Sequence, residues 1–167
     1  MPIKHWEAWI LLLSVLTASD SRALTASAAA TIVQPLSITS QTALNFGFIT
    51  PGASGGSVTI MPDNTRSTSG SVSVNPGDSA RAIFAVQGAP QQQYSIQTPS
   101  FLIFSNAESN LRVSNFKTYS AGAGAITAIG KLGNTGMDTI YLGGTLTVPS
   151  NATPGVYSGL VPLTISY

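Results

Sequence analysis

Beyond residue 30, apolar residues fall in short alternating runs cut by Gly, Pro and Asn, and no stretch holds a helical period for three turns. That pattern limits the fold more than any other feature. Period two sends alternate side chains to opposite faces of a strand, whereas a helix needs a period near 3.6. Candidate strands cover residues 36–39, 43–49, 57–61, 71–74, 81–86, 94–98, 101–104, 111–116, 139–148 and 156–167. Pro51-Gly52, Pro62-Asp63-Asn64, Asn75-Pro76-Gly77-Asp78, Gly88-Ala89-Pro90, Gly133-Asn134 and Pro154-Gly155 stand between them. Gly reaches positive φ while Pro fixes φ and lacks a donor, so these clusters turn the chain. Residues 121–129 allow one turn of helix, weakened by Gly122 and Gly124. Many short strands at this spacing predict an all-β sandwich or barrel.

The N-terminus reads as an address. Lys4 and His5 precede an apolar run over residues 8–18, and mostly small residues follow to Ala30. That order marks residues 1–23 as a secretory signal. Cleavage after Ala23 suits the distance from the apolar run, while cleavage as late as 28–30 suits the alanines, and the sequence leaves both open. The run is far short of the ~20 residues that span a bilayer as a helix, so no span is expected in the mature chain. About 140 residues then remain, enough for one domain with its own core.

Composition removes several functions. Only 8% of residues are charged, yet 43% are apolar, which argues for a packed chain and against disorder. The cations beyond the signal, Arg66, Arg81, Arg112, Lys117 and Lys131, form no cluster, so no nucleic-acid partner is expected. The chain has no Cys, and its single His lies in the signal, so a nucleophile there would lack its usual base. Asp63 and Asp78 stand in turn sequences, where Asx turns explain them more simply than a carboxylate pair or a calcium site. No catalytic residue, metal or cofactor is expected. Tyr94, Tyr119 and Tyr141 offer rings for a sugar, though strand-end tyrosines commonly pack the ring and wet the hydroxyl.

The terminal segment 156–167 is the most informative. Tyr157, Gly159, Val161, Leu163, Ile165 and Tyr167 share one parity, and Pro162 sits among the opposite set. Proline gives no N–H to a ladder, so this strand belongs at an edge or a bulge. It carries no charge and the sequence ends there, leaving an apolar flank with an open edge of the kind that pairs with other chains. It pairs either with another chain or with the N-terminal strand of its own. Residues 24–38 form a candidate donor segment, uncharged and β-prone, with Ile32, Val33, Leu36 and Ile38 as its apolar side chains. Burying three to five such side chains is worth ~1.5–3 kcal/mol each before the entropy of ordering is subtracted.

These segments resemble the pilin subunits of bacterial chaperone–usher fimbriae, and more closely an uncharacterised family of secreted proteins related to them. The likeness rests on Ala30-Thr31-Ile32-Val33, Pro35-Leu36-Ser37-Ile38-Thr39, Leu44-Asn45-Phe46-Gly47, Pro51-Gly52, Thr65-Arg66-Ser67, Leu142-Gly143-Gly144, Leu146 with Val148, and Gly155-Val156-Tyr157-Ser158-Gly159. It implies an immunoglobulin-like β-sandwich over residues 36–167 that lacks its final strand. A periplasmic chaperone, an outer-membrane usher and neighbouring subunits would be its partners, and the surface fimbria its destination. Gly155 and Tyr167 stand twelve residues apart, as in the strand such chaperones grip. Gly155, Tyr157, Val161, Leu163, Ile165 and Tyr167 would then line the acceptor groove. The sequence departs from the pilin pattern in its final rather than penultimate Tyr, its lack of a disulfide and its short N-terminal segment. The alternative is a self-complete secreted or envelope sandwich, glycan-binding or otherwise.

Overall fold

A computed structural model describes residues 24–75 and 77–167; the signal expected over residues 1–23 lies outside the described residues. The strands are β1 Ser37–Thr42, β2 Ile49–Ile60, β3 Arg66–Val74, β4 Ala82–Gln87, β5 Gln93–Gln97, β6 Phe101–Ser105, β7 Asn110–Ser120, β8 Ala125–Ile126, β9 Ile129–Lys131, β10 Met137–Val148 and β11 Thr164–Ser166. The protein is an all-β sandwich. Its larger sheet runs β1-β4-β10-β2-β3, with β7 on the other side of β10 and joined to β6 and β8. The smaller sheet runs β11-β5-β9. Among the described residues no helix is long and apolar enough to cross a membrane.

Strand β10 organises the larger sheet. Its residues 137–142 pair with β4, residues 144–148 pair with β2, and β7 runs along its opposite edge. The change of partner falls at Gly143, where a Cβ would stand 2.1 Å from the Ile60 carbonyl oxygen. Only a bare Cα lets the end of β2 come so close. Ile140, Leu142, Leu146 and Val148 face inward and are buried, while Thr139, Tyr141 and Thr145 face out. The core forms two clusters. Phe46, Val58, Leu111 and Val113 belong to the first, and Phe84, Tyr94, Leu132 and Ile140 to the second. Leu44, Phe116 and Val161 pack against both.

Three sequence expectations need correction. The strand expected over 43–49 shrinks to one bridge, Asn45 to Ala80, because the Asn45 side chain bonds the Asp78 carbonyl and the Gly47 N–H and turns the chain locally. The continuous strand expected over 156–167 keeps its ladder only at β11, with a separate bridge from Ser158 to Ser105. Carrying the register Thr164↔Gln97 on by two residues sets Pro162 opposite Pro99, so neither side has an N–H to give. The turn of helix allowed over 121–129 closes as one bond, from Gly124 N–H to the Ser120 carbonyl, before β8 begins.

One buried carboxylate ties the sheets together. Asp138 on β10 accepts from the Tyr94 hydroxyl at 2.6 Å, the Ser120 hydroxyl at 2.5 Å, the Gly122 N–H at 2.8 Å and the Thr139 N–H at 2.6 Å. Four donors on two oxygens satisfy the group without a counter-ion. Burial pushes the Tyr94 hydroxyl pKa up, and donation to Asp138 pushes it further. At the surface, Asp63 accepts from both the N–H and the hydroxyl of Thr65, the Asx arrangement its sequence suggested. The Thr65 hydroxyl, then its N–H, hold the Asp63 carboxyl below its ordinary range.

Asp138→Ala strands the Tyr94 and Ser120 hydroxyls in the core, and the expected loss is about 3 kcal/mol, read as a lower urea midpoint at constant slope. A midpoint unchanged from wild type would refute the tie. Because the Asp63 pKa is depressed in the folded state, its contribution is present above the ordinary carboxylate range and fades as pH falls through the lowered value. Carboxyl NMR titration should show that low midpoint, and Thr65→Val should raise it.

Candidate functional site

The two ends of the sandwich domain border one seam. On one side, β1 is hydrogen-bonded to β4 alone, and on the other, β11 is bonded to β5 alone. Among the described residues nothing pairs with their remaining edges. The seam is apolar: Leu36 and Ile38 from the first strand, and Val161, Leu163 and Ile165 from the last segment, pack on the second cluster. All five are half-buried. Half-burial is the mark of side chains covered from beneath and open above.

The parity read from the sequence survives the loss of the ladder. Tyr157, Val161, Leu163 and Ile165 are turned toward the core, while Ser158, Leu160, Pro162, Thr164 and Ser166 are exposed. An interrupted ladder does not flip faces here, because the segment stays extended beside β5 and β6 on both sides of its proline.

The seam differs at its two ends. Near β11 it is tied shut: the Tyr167 hydroxyl donates to the Gln34 carbonyl at 2.7 Å and accepts from the Ala89 N–H at 2.7 Å. At the other end it widens into a cleft of about 620 Å³ between residues 44–51 and 152–157. Phe46, Phe104, Leu111, Leu146 and Val148 are among its lining residues. Phe46 meets Phe104 edge to face with ring centroids 6.3 Å apart. Tyr157 stands at the rim, its hydroxyl donating to the Thr153 carbonyl at 2.7 Å and paired with the Ser109 hydroxyl. Gly155, at φ 154°, is approached so closely by the Asn106 amide that a Cβ would lie 2.8 Å from its nitrogen.

The residues singled out from sequence therefore fall into three groups. Val161, Leu163, Ile165 and Tyr167 are gathered along the seam with Leu36 and Ile38 facing them, and Gly155 and Tyr157 line the cleft that continues it. Ile32 and Val33 are not gathered; they precede β1, outside any strand, with Ile32 98% exposed. Sequence reasoning missed the cleft's far wall. Phe46 and Phe48 follow Leu44 at period two, which was a readable signal, but their placement depends on the Asn45 turn.

Fold and seam together define a β-sandwich with an unpaired edge on each side of an apolar groove. The chain belongs to the family described as a domain of unknown function, DUF4402, whose family model matches residues 36–167. No curated protein matches it, and no solved structure does.

Tyr167→Phe removes both bonds that close the β11 end. The expected result is roughly tenfold faster hydrogen exchange at the Ala89 amide, with a stability loss of about 1 kcal/mol. Unchanged exchange would mean that the hydroxyl is not what ties this end.

Proposed function

We propose that this protein is a structural subunit of a bacterial surface fimbria, assembled when a strand from a neighbouring copy enters the seam. The observation that carries the reading is the pair of free edges, β1 and β11, on either side of five half-buried apolar side chains. An inserted strand would gain main-chain partners on both sides and place alternate side chains over that floor. The resemblance to chaperone–usher pilins supports the same reading, and with it an immunoglobulin-like sandwich short of one strand. Export through the inner membrane, a periplasmic chaperone holding the seam and an outer-membrane usher go with it.

Since Ser37–Thr42 is the chain's own first strand and Leu36 packs on the chain's own core, the stretch left to donate is residues 24–35. Leu24, Ile32 and Val33 supply its exposed apolar side chains. A second reading, a self-complete exported monomer, draws on the Tyr167 bond to Gln34, which joins the two ends within one molecule.

The chain has no Cys, so engineered thiols are the only ones present. Mixing Val33→Cys with Leu163→Cys under mild oxidation should give a disulfide-linked pair of chains, and the unmodified chain should form larger species as its concentration rises. Leu163→Lys should keep the circular dichroism of a β-protein while abolishing both results. A monomer at every concentration, with no cross-link, would leave the second reading standing and remove the first.

A further inference from the structure

A separate surface lies on the solvent face of the larger sheet. Tyr119 and Tyr141 are register partners there, with ring centroids 6.1 Å apart and planes 30° apart. The Arg81 guanidinium lies 3.8 Å from the centre of the Tyr141 ring, and its Nη1 donates to the Pro62 carbonyl at 2.5 Å. That bond fixes the fork and leaves most of its N–H donors without a protein partner among the described residues.

Beside the two rings the ladder opens. The register slips between Gly143 and Thr145, Asn115 sits at φ 53°, and a hollow of about 430 Å³ forms. Thr59, Met61, Asn115, Lys117 and Thr145 line it. Lys117 is the next outward residue on β7 after Tyr119 and lines the hollow, so rings and hollow are joined along β7. An outward non-glycine residue at positive φ is a costly way to shape a sheet face, and it sits where the hollow is formed.

Cations outnumber carboxylates on this face. Arg81 and Lys117 lie here, while Asp138 is buried beneath the sheet and Glu108 sits between β6 and β7. Asp63 sets a negative charge near Arg81, with both Thr65 donors on its Oδ1. Tyrosine rings offer an apolar platform to the C–H face of a sugar, and an amide and hydroxyls suit its OH groups. A neutral sugar would leave both cations unanswered, and two scattered cations are too few to hold a nucleic-acid backbone. We propose that this face binds an acidic oligosaccharide, with a uronate ring against Tyr119 and its carboxylate toward Arg81 and Lys117. The surface lies on the outer face of the sheet, whereas the seam side chains pack on the core face, and the proposal does not depend on strand insertion.

The test titrates the exported chain with hexagalacturonate and, in parallel, with the neutral maltohexaose, following amide NMR shifts at low salt. Only the acidic hexamer should bind, moving resonances over residues 117–119 and at Tyr141, and raised salt should weaken it. Lys117→Gln and Tyr119→Ala should each weaken binding tenfold or more. Arg112→Gln, which removes a cation stacked on Phe101 farther along the outer face of β7, should leave it unchanged. Should Tyr119→Ala fail to fold, Lys117→Gln alone decides. Equal binding of the two hexamers, no binding, or an equal loss in Arg112→Gln would each overturn the proposal.

Discussion

The handover at Gly143 is the constraint on which the rest of this sandwich depends. A strand has two edges, and β10 serves three strands by giving one edge to β4 and then to β2. Two partners can share an edge only if their ends meet without side chains between them, and the missing Cβ of Gly143 supplies that room against Ile60. From this junction the two apolar clusters follow, since Ile140 and Leu142 project into one and Leu146 and Val148 into the other. The outer face inherits the same break, because the register slip that accommodates it opens the hollow beside Tyr141.

Much of this was legible in the sequence, for a physical reason. Strand identity depends on local alternation and on turn residues, so the all-β class and the position of most strands could be read directly. The facing of Val161, Leu163 and Ile165 could be read as well, because parity belongs to an extended chain whether or not its ladder is intact. Hydrogen-bond partners are non-local and were not readable. Nothing near Pro162 reveals that β5 runs beside this segment with Pro99 two residues past its end, and nothing near Leu44 reveals that the Asn45 side chain will turn the chain there. The candidate site was half visible on the same grounds. Its terminal wall obeys a simple period, while its other wall exists only once Asn45 meets Asp78 and Ala80.

Asp138 shows the opposite case, a residue whose sequence context says little and whose structural weight is large. A carboxylate in a β-rich core normally asks for a cation or a metal. Here two hydroxyls and two main-chain N–H groups take that place, and they come from β5, from the end of β7, from the loop that follows it and from β10 itself. The smaller sheet is thus joined to the larger one by polar bonds as well as by packing, in a protein without disulfides.

The division of the core carries a consequence for how the molecule melts. Leu44, Phe116 and Val161 touch both apolar clusters, and all three are only half-buried. Cooperativity between the halves of the domain therefore runs in part through side chains that water can reach. Anything that seals them from solvent lowers the freedom of each half to loosen alone, and turns two neighbouring droplets of hydrocarbon into one.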